Sequence, residues 1–145
     1  MDESQIVEEQ VLVRELGRLG GGRGGRFGAE RAAKRIRTDR CEEALECDTS
    51  PDEVLRATAV VLARLGRLLD DAPTSSDEEV WAVVGGGAGG LNPVVVRVEA
   101  DRLGGGGCRA VVRACAKEGL IKQRAAQKTA ARVRDELAAE SRSRG

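Results

Sequence analysis

The chain has 145 residues with 24 basic and 24 acidic side chains, which fits one domain and points to no particular partner by net charge. It contains no histidine, so histidine-based catalytic pairs and imidazole-ligated metal or haem sites are excluded. The start of the chain lacks a basic region followed by an apolar one, and no apolar run reaches the ~20 residues of a membrane span. We therefore expect a cytoplasmic protein, and the excess of Arg over Lys is typical of a GC-rich genome.

Residues 1–40 are predicted to be a flexible segment that is basic and rich in glycine. Residues 5–16 fit either a short helix or a strand, and residues 29–37 fit a brief basic helix. Residues 20–28 between them have too little apolar content to pack. The sequence of residues 20–28 resembles one RGG repeat of an RNA-binding arm, and a flexible linker without a binding role is the alternative.

A compact domain is predicted over residues 41–140, beginning with a strand at residues 43–48. The next segment carries a helix start, with Ser50 at the N-cap, Pro51 at the first helical position and Glu53 three residues after the cap. Gly66 marks the end of this helix. Its apolar stripe recurs at the helical period through Val54, Thr58, Val61 and Leu65.

Further strands are predicted at residues 67–69, around Trp81, at residues 93–100 and at residues 108–116. An acidic loop at residues 70–79 precedes Trp81, and glycines 104–107 form a hairpin loop between the last two strands. Alternation assigns one set of side chains to the buried face: Val94, Val96, Val98, Ala100, Cys108, Ala110, Val112, Ala114 and Ala116.

A final helix is predicted at residues 118–139, followed by a frayed tail at residues 141–145. The fold class is therefore α+β. We predict a two-layer sandwich, in which an antiparallel sheet of about four strands packs two amphipathic helices on one face. The other face of the sheet is expected to be wet and polar.

The element order, with Asp48-Thr49-Ser50-Pro51-Asp52-Glu53-Val54 opening the first helix of the domain and residues 117–137 closing it, resembles small helix-grip modules. It is similar to single-domain relatives of the START-type ligand-binding fold and to BamC-type domains. The resemblance covers about residues 43–139. It transfers no functional residue to this chain.

Gly85, Gly87 and Gly90 spell G-x-G-x-x-G directly after a β-branched run. A dinucleotide site would need a helix after the third glycine and an acidic residue about 20 positions further on. Instead, Asn92 and Pro93 introduce a run of valines, and that later position falls at Ala110. We therefore predict a strand-to-strand connection and no cofactor, with dinucleotide binding as a disfavoured alternative.

Basic side chains gather on the polar face of the predicted sheet and at the start of the last helix. They form a possible anion-binding face of Arg97, Arg109, Arg113, Lys117, Lys122 and Arg124. The alternative is a solvated face whose cations pair with carboxylates such as Glu99 across the strands. The four cysteines include no C-x-x-C pair, and Cys108 and Cys115 are predicted on opposite faces, so no metal site is expected.

The combined prediction is an intracellular, non-catalytic binding or protein-interaction module. Its surfaces would be the outer sheet face and the sheet edges, which accept a partner strand or a second copy. Binding of an anionic ligand or nucleic acid through the basic face and the RGG-like arm is the alternative, and no membrane partner is expected. An enzyme would have to use Asp77, Glu78 and Glu79, or a Cys115 thiolate favoured by Lys117.

Overall fold

A computed structural model describes most of the chain, namely residues 2–19, 23–70, 78–86, 90, 92–118 and 123–144. The helices are α1 (Glu3–Leu19), α2 (Arg23–Ala33), α3 (Pro51–Leu65) and α4 (Ala125–Arg144). The strands are β1 (Thr38–Cys47), β2 (Gly66–Leu68), β3 (Glu79–Gly86), β4 (Asn92–Arg102) and β5 (Cys108–Lys117).

Within the described residues, five strands form one antiparallel sheet in the order β1-β5-β4-β3-β2. The predicted α+β class and the antiparallel sheet are confirmed, and the short strand predicted near residues 67–69 brings the sheet from about four strands to five. β1 begins at Thr38, five residues before its predicted start, because Thr38 pairs with Lys117 at the far end of β5. The sequence of that extension has no apolar alternation, so its strand structure comes from pairing with β5.

The predicted start of the first domain helix is confirmed in α3. The Ser50 hydroxyl accepts a hydrogen bond from the Glu53 backbone N–H at 3.3 Å, and Pro51 occupies the first turn. At the other end, the Gly66 N–H donates to the Leu62 carbonyl oxygen. Val54, Thr58 and Val61 are buried, as the helical period predicted, whereas Leu65 at the end of the stripe is only partly buried.

The inner face of the sheet carries the main core. The alternating residues predicted to face inward on β4 and β5 all belong to it. α3 lies mainly over β2, β3 and β4, whereas α4 lies mainly over β1 and β5. Small side chains on α4, Ala126 and Ala130, face the alanine-rich part of β5, so the helix lies close to the sheet and buries Val133 and Leu137 completely.

The last helix begins at Ala125, later than predicted, because Glu118 caps it from outside. The two Glu118 carboxylate oxygens accept hydrogen bonds from the backbone N–H groups of Gln123 at 2.9 Å and Ala125 at 3.0 Å. Leu120, Ile121 and Lys122, which were assigned to this helix, lie outside the described residues. At the other end α4 continues through Arg144, so the described part of the predicted frayed tail is helical.

The outer face of the sheet is covered by α1, and the prediction of a wet face with helices on one side only is wrong. Val7, Val11 and Leu12 of α1 pack against Trp81 and Val95, forming a second, smaller core. Helices therefore lie on both faces, because the outward positions of the sheet also carry apolar side chains. Residues 3–19 of the segment predicted to be flexible form this packed helix, while the domain boundaries at residues 40 and 140 stay a prediction.

The glycine run joins two neighbouring antiparallel strands, as predicted. Gly85 pairs with Pro93 and Gly86 pairs with Asn92 in the β3–β4 ladder, and residues 87–89 and 91 are outside the described part. A β-carbon on Gly85 would lie 2.6 Å from the Gly90 carbonyl oxygen. Position 85 therefore requires glycine, because the backbone at Gly90 lies too close to leave room for a side chain. The element that follows the run is strand β4, whereas a dinucleotide site requires a helix there.

Candidate functional site

A polar cleft of about 290 Å³ opens between the start of α1 and the outer face of the sheet. α1 contributes Gln5 and Glu8, and the sheet contributes Arg40, Arg97 and Arg113. The cleft therefore brings together two arginines of the predicted anion-binding face and a third, Arg40, that the sequence did not single out.

Arg97 lies at the centre of this site and is only 5% exposed. Its Nε and Nη2 atoms lie 3.0 Å and 2.9 Å from Glu8 Oε1 on α1. Its Nη1 contacts Glu99 and lies 3.4 Å from Glu79 Oε1, and the guanidinium carbon is 5.5 Å from the centre of the Trp81 ring. The Arg97 guanidinium is therefore surrounded by groups of the protein, and an external anion would have to displace one of them.

Lys117 and Arg40 are also engaged by carboxylates of α1. The Lys117 ammonium contacts Glu9 and donates to the Thr38 hydroxyl at 2.6 Å, and Arg40 contacts Glu8 as well as Glu9. Burial raises the pKa of Glu9. The hydrogen bonds from Lys117 and Thr38 and the positive charges of Lys117 and Arg40 outweigh this, so the pKa lies below its ordinary value of 4.5.

Arg113 is held by carboxylates of the sheet itself. Its Nη1 lies 2.8 Å from Glu99 Oε2, and its Nε lies 3.1 Å from Glu42 Oε2. Burial raises the pKa of Glu99, but the hydrogen bond and charge of Arg113, together with the charge of Arg97, bring it below the ordinary value. This pairing between neighbouring strands is the arrangement that the sequence offered as the alternative to an anion site.

The ion pairs leave the neighbourhood of the cleft slightly negative. Among the described contacts, four cations face five carboxylates, namely Arg40, Arg97, Arg113 and Lys117 against Glu8, Glu9, Glu42, Glu79 and Glu99. A site of this composition does not attract an anion by its net charge.

The remaining residues of the predicted face lie elsewhere. Arg109 is exposed at the end of β5 opposite Lys117, and Arg124 is exposed just before α4, with a positive φ of 53°. Lys122 is outside the described residues, and the side chains of Arg23 and Arg26 in the RGG-like segment are not described. Anion binding by these residues stays a prediction.

The carboxylates of α1 are the functional residues that sequence reasoning missed. A signal was present, because Val7 and Val11 recur at helical spacing and Glu8 and Glu15 repeat seven residues apart beside them. That pattern marks a helix face that is both apolar and acidic.

The cysteines are free thiols, and Cys108 and Cys115 lie on opposite faces of the sheet, as predicted. Lys117 favours the Cys115 thiolate as expected, but burial, followed by the charge of Glu8, raises the Cys115 pKa to about 12. Burial of Cys115 therefore disfavours the reactive thiolate that an enzyme would have to use here. Of the acidic run considered for catalysis, Glu79 accepts a hydrogen bond from Trp81 Nε1 at 2.9 Å, Glu78 is exposed, and Asp77 is outside the described residues.

The free edge of β1 is a second candidate surface. β1 has ten residues and pairs with β5 on one side, while no described strand lies along its other side. Glu42, Ala44 and Glu46 are exposed along it. The opposite edge of the sheet, β2, is only three residues long. The long free edge is therefore on β1.

None of the helices in the described ranges has the length and apolar character needed to cross a membrane. In the same ranges, no group of three or more Cys, Asp and Glu side chains is arranged to hold a metal ion.

No protein-family model matches the sequence, and no curated protein matches it. Among solved structures, the chain is similar to the crystal structure of Ara h 8.0201, with 12% identity and a TM-score of 0.46 over 72% of this chain and 96% of that one. It is similar to protein CV1439 from Chromobacterium violaceum, with 10% identity and a TM-score of 0.42 over 70% and 96% of the two chains. It is also similar to the Mll3558 protein from Rhizobium loti, with 14% identity and a TM-score of 0.45 over 72% and 98%.

Proposed function

We propose that this protein is a non-catalytic binding module that takes an extended strand of a protein partner along the free edge of β1. The observation that carries the proposal is the length of this edge, which is ten residues paired on one side only. In an antiparallel ladder, about half of the residues of an edge strand direct their N–H and C=O groups away from the sheet. These groups are a template for a further strand.

The surroundings of β1 leave this edge accessible. α4 packs on the inner face of β1, where Arg134 Nη1 lies 2.7 Å from Glu43 Oε2. On the outer face, the described hydrogen bonds and ion pairs from α1 to β1 go to Thr38 and Arg40, near the start of the strand. The half of the strand from Glu42 to Glu46 is therefore available to a partner.

The charge of β1 indicates a basic partner strand. The strand contains four carboxylates and one cation, namely Asp39, Glu42, Glu43 and Glu46 against Arg40. Glu42 pairs with Arg113, Glu43 with Arg134 and Arg40 with Glu8, so Asp39 and Glu46 are the carboxylates for which no ion pair is described. Two copies of β1 that paired antiparallel around Glu42 and Glu43 would place carboxylates opposite one another, which destabilises a strand pair. This disfavours self-association through the same edge and favours a partner with Lys or Arg at alternate positions.

The test is fluorescence anisotropy with a labelled peptide that alternates lysine and valine, with a peptide that alternates glutamate and valine as its control. We expect the basic peptide to bind and to slow amide hydrogen exchange in β1. Glu46→Gln should weaken binding about threefold, since an exposed charge pair contributes little on its own. Asp101→Asn is the matched control, because Asp101 is an exposed strand carboxylate on the interior strand β4.

Equal binding of the two peptides would contradict the proposal. So would an equal effect of Glu46→Gln and Asp101→Asn, or protection from exchange that arises outside β1.

A further inference from the structure

The surface of the sheet on which α1 packs, here called the seat of α1, has an apolar centre that is surrounded by four cations. The centre consists of Trp81, Val95 and Cys115, which contact Val7, Val11 and Leu12 of the helix. Around it, four different strands each supply one cation to α1: Arg40 on β1, Arg67 on β2, Arg97 on β4 and Lys117 on β5.

The side chains of α1 show which chemical groups this surface binds. Its carboxylates contact the cations one by one. Glu8 contacts Arg97 and Arg40, Glu9 contacts Lys117, and Glu15 Oε2 lies 2.6 Å from Arg67 Nη2. A fitting helix therefore has apolar residues at i, i+4 and i+5 and carboxylates at i+1, i+2 and i+8, counted from Val7.

Of the three helices that pack on the sheet in the described part of the chain, α1 makes the smallest contact with it. Its apolar contact with the sheet is a small core, whereas α3 and α4 share the much larger one on the inner face. The described ties of α1 to the sheet are made by side chains, namely the carboxylate ion pairs and a hydrogen bond of 3.2 Å from Arg40 Nη2 to the Gln5 carbonyl oxygen. Detachment of α1 from the sheet therefore breaks side-chain contacts and ion pairs but no hydrogen bond between strands, as expected for an element of low local stability.

We propose that this outer face is a docking site for an acidic amphipathic helix of a protein partner, which replaces α1. This surface is separate from the β1 edge, and the proposal does not depend on the function assigned to that edge. A polyanion such as single-stranded nucleic acid fits the surface less well. The centre is apolar, and Trp81 is the only tryptophan of the chain, whereas nucleic-acid binders stack bases on several aromatic rings.

Because α1 is tethered, it competes with any partner at an effective concentration on the order of millimolar. A partner helix therefore binds with higher apparent affinity when a substitution weakens the contact of α1 with the sheet but leaves the sheet folded. Glu9→Gln meets this condition, because Glu9 is partly exposed and its loss leaves the Glu8–Arg97 contact intact.

The experiment uses the full chain and a dansyl-labelled peptide with the sequence of residues 2–19. Energy transfer from Trp81 to dansyl reports that the peptide is bound, and because Trp81 is 3% exposed and lies under α1, a change in the Trp81 emission itself reports that α1 has been replaced on this face. We expect half-saturation of transfer at a peptide concentration about fivefold lower for Glu9→Gln than for the unmodified chain. Glu3→Gln, which neutralises an exposed carboxylate of the same helix, should behave like the unmodified chain.

A peptide with glutamine at both positions 8 and 9 should bind at least about tenfold more weakly than the parent peptide. If Glu9→Gln lowers the content of folded protein, as measured by circular dichroism, Glu15→Gln takes its place with the same expectation. The proposal is overturned if energy transfer is absent in both Glu9→Gln and Glu15→Gln. It is also overturned if the acidic and the neutral peptide reach half-saturation at the same concentration. It is also overturned if a single-stranded oligonucleotide binds the variants more tightly than the acidic peptide does.

Discussion

Glu8 Oε1 on α1 lies 2.9 Å from Arg97 Nη2 on β4, and each side chain is 6% exposed. The two residues are 89 positions apart in the sequence. Their contact ties α1 to a sheet face that would otherwise be basic and solvated. Two buried charges of opposite sign are tolerated there because each is hydrogen-bonded by the other.

Glu8→Gln should lower the free energy of unfolding by about 3 kcal/mol, because it removes one partner of a buried ion pair. Glu79 and Glu99 still contact Arg97 in this variant, so the loss should lie near the smallest values found when one partner of a buried ion pair is removed. Urea unfolding followed by Trp81 fluorescence measures the change. Glu3→Gln, on the exposed side of α1, should change stability by less than about 0.5 kcal/mol. A loss below about 1 kcal/mol for Glu8→Gln would show that the pair contributes little.

Glu9 should make the protein less stable in acid. Its folded pKa lies below 4.5, so the stabilisation it provides is fully present above that pH and is lost as the pH falls through the folded value. We expect the melting temperature of Glu9→Gln to be lower than that of the unmodified chain at pH 7 and to approach it at pH 3. Melting curves between pH 7 and pH 3 test this, and a difference that is constant with pH would contradict it.

Cys115 should make the protein less stable in alkali. Burial raises its pKa from 9.0 to about 12, so the unfolded chain loses this proton first as the pH rises. Stability then falls between about pH 9 and pH 12, with a slope of up to about 1.4 kcal/mol per pH unit for one group. Cys115→Val should reduce the slope measured in urea unfolding at several pH values. An unchanged slope would exclude this thiol as a contributor.

Ser50→Ala should destabilise the protein by about 1 kcal/mol, because the Glu53 N–H loses the side-chain acceptor at the start of α3. Ser50→Asp keeps an acceptor oxygen at the same position and should restore most of the stability. Thermal unfolding of the three proteins measures the effect. Equal loss in both variants would show that packing at position 50, and not capping, is responsible.

Gly107→Ala should destabilise the protein by about 2 kcal/mol or more, since a left-handed conformation and a steric overlap add to each other. Gly107 has a φ of 75°, and a β-carbon at this position would overlap the carbonyl oxygen of Cys47. Gly105→Ala in the same hairpin loop is the control, because a β-carbon there meets no atom within 4 Å. Urea unfolding should separate the two variants clearly, and similar midpoints would contradict the prediction.

The sequence by itself determined the elements whose signals are local. The N-cap at Ser50 and the stop at Gly66 define α3, and the alternation of Val94, Val96 and Val98 identifies the inner face of β4. Asn92 and Pro93 were sufficient to predict a strand after the glycine run. These features depend on backbone preferences and periodicities within a few residues, which are readable without the rest of the chain.

Only the tertiary structure decided what covers the outer face of the sheet and which charges pair. The seat of α1 combines Glu8 and Glu9 with Arg97 and Lys117, which lie about 90 to 110 residues later in the chain. The early start of β1 and the capping of α4 by Glu118 likewise depend on partners in other elements. Side chains that look solvated in the sequence are buried here because carboxylates on a distant helix offset the cost of removing their charges from water.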